Sequence, residues 1–211
     1  MTLQSLSRWF LVTLSLTAAL AQPARAADEA PDSFVRRMST EVLDTIRADK
    51  TSLVGNLPRI ITLVDTRIMP NVDFQRMTAS AVGPAWRQAS PEQKKRLQDE
   101  FKILLVRSYA GALAQVNDQT VVIKPVRAAA DDPEVLVRTE IKGRGDPLQL
   151  DYKLQRTPGE GVGWKIVNLN VLGVWLVETY RSQFAQEINA KGLDGLIASL
   201  TERNRKNAAK N

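Results

Sequence analysis

Residues Trp164 to Phe184 read WKIVNLNVLGVWLVETYRSQF, and this stretch carries more apolar side chains than one wall of a sheet accepts. Even positions supply Trp164 and Ile166, odd positions supply Val167, Leu169 and Val171, and beyond Gly173 come Val174, Trp175, Leu176 and Val177. Successive residues of a strand face opposite sides. The pattern therefore predicts a strand that is apolar on both faces and that turns at Gly173 into a helix whose first turn carries Trp175 and Leu176. Such a corner either has two dry sides or lines something.

Upstream the alternation is simpler. Val135, Val137, Thr139 and Ile141 alternate with Leu136, Arg138, Glu140 and Lys142, and Leu148, Leu150, Tyr152 and Leu154 alternate with Gln149, Asp151, Lys153 and Gln155. One face of these strands is apolar and the other is mostly wet. The joins at 143–147 (GRGDP) and 157–161 (TPGEG) are too short for parallel crossovers, so they predict antiparallel hairpins. With Gln119–Val126 and Trp164–Val171, the result is a four-stranded meander.

The first half has the other period. Phe34, Val35, Met38, Val42, Leu43 and Ile46 recur at helical spacing behind Pro31-Asp32, as do Ile60, Ile61, Val64 and Ile68 behind Asn56 and Pro58. Ser90-Pro91-Glu92-Gln93 forms a capping box with Pro at the first helical position. A long helix follows, with Leu97, Phe101, Leu104, Leu105, Ser108, Tyr109 and Ala112 on one stripe. After the meander, Phe184 and Ile188 mark one helix, and Leu193, Leu196, Ile197 and Leu200 mark another. The fold class is α+β: helices packed on the apolar face of a twisted antiparallel four-stranded sheet, in a cone-like arrangement. Periodicity leaves two readings of the cone open, a core filled with side chains or an enclosed apolar cavity.

Composition narrows the function. Arg8, an apolar run from Trp9 to Ala21 and the small-x-small tripeptide Ala24-Arg25-Ala26 predict a cleaved export signal over 1–26. A single domain is expected over 27–202 and a frayed polar tail over 203–211. The chain has no Cys, so neither disulfides nor thiol chemistry are available, and no His, which excludes Ser-His and Cys-His pairs and histidine-metal sites. An isoelectric point near 9.7 suits nucleic acid, but export and an aromatic content of 6% argue against it. Arg144-Gly145-Asp146 is read as turn chemistry, and Lys94-Lys95-Arg96 as a solvated face. Asp65, Asp73 and Asp151 are better read as caps or wet-face residues than as general bases.

Four ordered segments carry a resemblance: residues 68–113 (IMPNVDFQRMTASAVGPAWRQASPEQKKRLQDEFKILLVRSYAGAL), LDYKLQ at 150–155, the opening stretch, and KGLDGLIASL at 191–200. Together they are similar to the MlaC family, also called the toluene-tolerance auxiliary proteins. Trp175 departs from it, standing where the family's Gly-Val-Ser-Leu turn has Ser. The resemblance implies a periplasmic phospholipid carrier of a Gram-negative bacterium, not an enzyme. It would shuttle a diacyl phospholipid between an inner-membrane ABC transporter bearing an MCE-type ring protein and an outer-membrane lipoprotein–porin complex, maintaining outer-membrane lipid asymmetry. The expected protein is a monomer without cofactor or metal, its phospholipid being cargo. On this reading the surplus apolar surface faces acyl chains.

Pocket candidates follow from the faces. They are Phe74, Met77, Phe101, Leu104, Leu105 and Tyr109 on the helices, Val137, Ile141, Leu150 and Tyr152 on the sheet, and Trp164, Ile166, Trp175 and Tyr180 at the closing corner. Lys142, Arg144 and Arg181 are candidates for a weak head-group mouth. The competing readings are a small cone-fold enzyme acting on an apolar substrate, which needs a carboxylate buried among apolar neighbours, and an exported adaptor docking a partner through its apolar corner.

Overall fold

The computed structural model describes residues 29–114, 116–129 and 132–208, so the expected export segment lies outside the described residues. The chain runs α1 (Pro31–Ala48), α2 (Lys50–Leu53) and α3 (Leu57–Leu63), which continues through a π-helical turn at Val64–Ile68 and a 3-10 turn at Met69–Asn71. Helices α4 (Phe74–Val82) and α5 (Pro91–Ala114) complete the helical half. Strands β1 (Thr120–Ile123), β2 (Glu134–Val137), β3 (Thr139–Lys142), β4 (Leu148–Arg156), β5 (Trp164–Val171) and β6 (Val174–Trp175) precede α6 (Leu176–Ala208).

The helix starts are where side chains can satisfy unpaired backbone N–H groups. Asn56 accepts from Arg59 N–H at 3.3 Å, and Asp73 accepts from Arg76 N–H at 2.9 Å. At α5 the capping box closes both ways: Gln93 N–H donates to Ser90 Oγ at 3.2 Å, and Ser90 N–H donates to Gln93 Oε1 at 3.0 Å. The last helix is broken at Gly192, whose φ of 70° and ψ of −173° leave helical geometry, so the two expected helices meet there. Beyond 203 the expected frayed tail is instead helical through Ala208. Asn204 is buried and its amide donates to the Glu100 carboxylate at 2.7 Å, while hydrogen bonds from Arg205 draw Glu202 down to about 2.

The sheet is antiparallel and mixed with helices as expected, but among the described residues it contains six strands rather than four, ordered β1-β3-β4-β5-β6, with β2 also paired to β4. Two local events account for the difference. The stretch 134–142 keeps one register along β4, since Val137 pairs with Tyr152 and Glu140 with Gln149. Between these pairs the Asp151 carboxylate takes the Thr139 N–H at 3.2 Å, and the Thr139 hydroxyl donates to the Leu150 carbonyl, so side chains replace ladder bonds and divide β2 from β3. The second event is a two-residue turn at Leu172-Gly173, which returns Val174 and Trp175 along β5 before the helix begins.

A β-bulge resolves the two-sided strand. In the β4–β5 ladder Lys153 pairs with Asn168 but Leu154 pairs with Ile166, leaving Val167 as the extra residue. One extra residue reverses the facing of everything beyond it. Paired residues share a face. Ile166, Leu169 and Val171 therefore join Leu154, Tyr152 and Leu150 on one side, and the apolar surplus of β5 is largely a phase shift. The opposite side holds Asp151, Asn168 and Asn170, all buried, which corrects the expected wet face at Asp151 and the expected second apolar face of β5. Asn168 caps the last helix, accepting Val177 N–H at 3.1 Å and donating to Glu178 at 2.7 Å, and Asn170 accepts Gly173 N–H at 2.8 Å.

The core falls into three clusters. Phe74, Met77, Leu97, Phe101, Leu104, Phe184 and Leu196 join α4, α5 and α6. Phe34, Val35 and Met38 of α1 cover Val135, Val137, Tyr152, Leu154, Trp164 and Ile166 of the sheet. Leu43, Ile46, Leu53, Ile60, Leu63 and Val106 join α1, α2, α3 and α5. Helix α5 packs chiefly on α3, α4 and α6 rather than on the sheet.

Candidate functional site

The apolar face of the sheet is closed at one end and open at the other. At the closed end Val137 and Leu154 are 0% exposed, Ile166 1% and Trp164 2%. Trp164 Nε1–H donates to the Glu29 carbonyl at 2.8 Å, and the Arg156 guanidinium lies 4.8 Å over its ring. Tyr152 shares a 3.0 Å hydrogen bond with Ser39 of α1, and burial pushes its phenol up to about 12.

Toward the other end, on the same face, Ile141, Leu148, Leu150, Leu169 and Val171 are only half-buried. Leu150 sits between β3 and β5, packed against the α1-covered cluster. An apolar side chain central in a sheet, on its helix-facing side, is normally covered. Its partial exposure means that neighbouring side chains leave part of its surface uncovered.

The helices carry a matching feature. Leu105 and Tyr109 of α5 are half-buried, and Ser108, Gly111 and Ala112 are exposed, so the expected apolar stripe is packed only over its first half. Tyr109 and Tyr180 lie close enough to interact: desolvation raises the Tyr109 phenol, and the Tyr180 phenol raises it further. Between the helical clusters, half-buried Met69 packs against the first and third clusters, and Val72 against the first and second.

The fourteen pocket candidates divide on this geometry. Phe74, Met77, Phe101 and Leu104 are buried within the helical core, and Val137, Tyr152, Trp164 and Ile166 are buried against α1. Leu105, Tyr109, Tyr180, Ile141 and Leu150 retain accessible surface. Trp175 is half-buried but pairs with Asn170, which places it on the face opposite Leu150. Alternation alone places Leu169 and Val171 on a second face, because the bulge has no periodic signature. Val121, paired with Ile141, and Ile123, paired with Thr139, extend the same face.

Each of the three mouth candidates has a partner of its own. Lys142 pairs with Glu140 at 3.4 Å, Arg181 Nε–H donates to the Ser80 carbonyl at 2.8 Å, and Arg144 pairs with Asp118 at 3.3 Å. Arg144 does border a polar cleft of about 760 Å³ with Arg47, Lys50, Val116, Asn117, Asp118 and Gln119. That cleft is the larger but lacks the apolar lining an acyl chain needs. The half-buried sheet face has that chemistry. A smaller cleft of about 230 Å³ flanks Trp164 and Arg156.

The carboxylates considered as bases have structural partners. Asp73 caps α4, Asp65 pairs with Lys102 at 2.8 Å, and Asp151 takes Thr139 N–H and Gln149 Nε2–H. Among the described residues no group of three or more His, Cys, Asp or Glu side chains could hold a metal, and no helix is long and apolar enough to cross a membrane.

Comparison with known proteins gives concordant matches. The family profile described as MlaC protein matches residues 36–202. The toluene tolerance protein ttg2D of Pseudomonas putida is 29% identical over 170 residues, covering 80% of this chain and 77% of its own. The intermembrane phospholipid transport system binding protein MlaC of Haemophilus influenzae is 23% identical over 205 residues, covering 96% and 95%. A phospholipid-binding protein from Ralstonia solanacearum, solved in complex with a phospholipid, superposes with a TM-score of 0.81 at 45% identity, covering 85% of this chain and 99% of that one.

Proposed function

The chain belongs to the MlaC protein family, and from that premise we propose that it is a periplasmic carrier of diacyl phospholipid and not an enzyme. It holds the acyl chains over the half-buried sheet face and leaves the head group in water. The observation that carries this is the rise in exposure along one apolar face, from fully buried Ile166 and Tyr152 to half-buried Leu150, Leu169 and Val171. The phospholipid complex of the Ralstonia solanacearum protein supports the same cargo. The name of the Haemophilus influenzae relative, an intermembrane phospholipid transport system binding protein, supports movement of lipid between membranes, and the family resemblance implies an inner-membrane ABC transporter with an MCE-type ring and an outer-membrane lipoprotein–porin complex at the two ends of that route.

The need for a carrier is a matter of magnitude. A diacyl lipid has about 30 methylenes, and at ~0.8 kcal/mol each its exposure to water costs on the order of 20 kcal/mol. A site that covers the tails removes most of that barrier without any bond being made. Protein purified without detergent from a lipid-replete periplasm is expected to release phospholipid on organic extraction, read by mass spectrometry. Folded protein that is consistently lipid-free would overturn the carrier reading.

Selectivity should follow the tails. Lys142, Arg144 and Arg181 already have partners, and Arg144 is exposed on a turn. An exposed ion pair contributes ~0.2 to 1 kcal/mol, less than tenfold in affinity. Competition between zwitterionic and anionic phospholipids with matched tails is expected to give less than a tenfold preference. A hundredfold preference would reveal a dedicated polar site.

A further inference from the structure

Along one stripe of α5 the covering runs out in steps. Phe101 and Leu104 are buried, Leu105 and Tyr109 are half-buried, and Ser108 and Ala112 are exposed. Tyr180 of α6 is half-buried as well, its ring edge-on to Phe101 at 4.9 Å and tilted against Phe184 at 5.6 Å. Tyr109 and Tyr180 therefore stand where a dry interface between helices gives way to water. This border adjoins the half-buried sheet face through Val72, which packs against both the cluster that includes Tyr180 and the cluster that includes Leu150.

Neither of these phenol hydroxyls has a hydrogen-bond partner among the described residues, in contrast to Tyr152, whose hydroxyl shares a 3.0 Å bond with Ser39. Phenylalanine would supply the same rings without a donor. Desolvation, and then the neighbouring Tyr180, hold the Tyr109 phenol above its ordinary value, so it remains a proton donor. In the uncovered protein water can accept from both hydroxyls. Once an acyl chain covers the border that water leaves, and a donor left without an acceptor is costly. The group that replaces the water must accept a hydrogen bond. In a diacyl phospholipid the acceptors at the junction of tails and head group are the two ester carbonyls.

We infer that Tyr109 and Tyr180 read the ester linkage of the bound lipid, their phenol O–H groups donating to the carbonyls where the tails meet the glycerol. This rests on the carrier reading and deepens it. The cargo class is ester-linked phospholipid, and the disfavoured analogue is an ether-linked phospholipid of the same head group and chain length, which lacks the projecting carbonyl oxygen. Weak head-group preference is compatible with this, because zwitterionic and anionic diacyl lipids share the linkage.

The test offers the delipidated protein vesicles of equal parts dipalmitoyl phosphatidylcholine and its di-O-hexadecyl ether analogue, and reads the ester-to-ether ratio of the protein-bound lipid by extraction and mass spectrometry. Dividing the wild-type ratio by that of Y109F with Y180F cancels any difference in how readily the two lipids leave the vesicle. The quotient is expected to be roughly tenfold, the size of two neutral hydrogen bonds, with each single variant between. Melting temperature should be unchanged or higher, because the rings keep their packing and lose only an unpartnered hydroxyl. Infrared spectra of bound lipid labelled with carbon-13 at the ester carbonyls should show the stretch lowered by hydrogen bonding in the wild type, and less so in the double variant.

An equal ratio in wild type and double variant would overturn the assignment. So would a wild-type carbonyl band at its position in dry hydrocarbon, a reading that does not depend on the variants folding. A wild type that takes up neither lipid sinks the carrier reading together with this one, whereas a wild type that takes up both, in the proportion of the double variant, sinks the linkage reading alone.

Discussion

Replacing Leu150 with glutamate is expected to strip the protein of bound phospholipid while leaving it folded. Leu150 is half-buried in the middle of the sheet, packed against the α1-covered cluster. In the empty protein a carboxylate there reaches water through the space that leaves Leu150 accessible, so the fold loses only modest apolar contact. With an acyl chain in place the carboxylate is cut off from water, and an unpaired buried charge is costly even after it takes up a proton. A hundredfold loss of retention corresponds to about 2.7 kcal/mol, well within that penalty. The measurement is lipid content by extraction beside a thermal melt. Cooperative unfolding of L150E at ordinary temperature would instead show that Leu150 is packed core.

Phe101→Ala should do the reverse. Phe101 is 0% exposed, with ring centroids of Phe74, Tyr180 and Phe184 at 5.7, 4.9 and 5.2 Å. Emptying a site of this kind costs ~3–5 kcal/mol, and loss of the edge-to-face ring pairs belongs to the same change. Against a typical total of about 5–15 kcal/mol, that is a large share of the stability. Urea denaturation is expected to show a lower midpoint with an unchanged slope, while lipid bound per folded molecule stays near the wild-type level. Loss of lipid without loss of stability would move Phe101 from core to pocket. The two variants together separate the half-buried face from the helical packing behind it.

How far the site could be read in advance depended on the kind of signal. The capping box at Ser90–Gln93, a helix break between Ile188 and Leu193, which falls at Gly192, and the antiparallel pairing of β3, β4 and β5 are local features, and each appears where its residues predict it. The division of pocket candidates was not legible. Phe101 and Leu105 share a stripe on α5, yet one is fully buried by Phe74, Tyr180 and Phe184 and the other is not, because only α4 and α6 decide which part of the stripe is covered.

The opening stretch shows the same boundary within one strand. Its residues alone determined that β5 is apolar and extended, that it turns at Gly173, and that a helix follows, because backbone sterics and side-chain spacing act within a few residues. They did not determine the facing of Leu169 and Val171. That depends on Val167 finding no partner opposite it in β4, a register relation between segments joined by a turn, and a single extra residue inverts every side chain beyond it. Only the tertiary structure decided which of these apolar side chains are buried under α1 and which remain open, since coverage belongs to the packing of distant elements and not to the side chain that is covered.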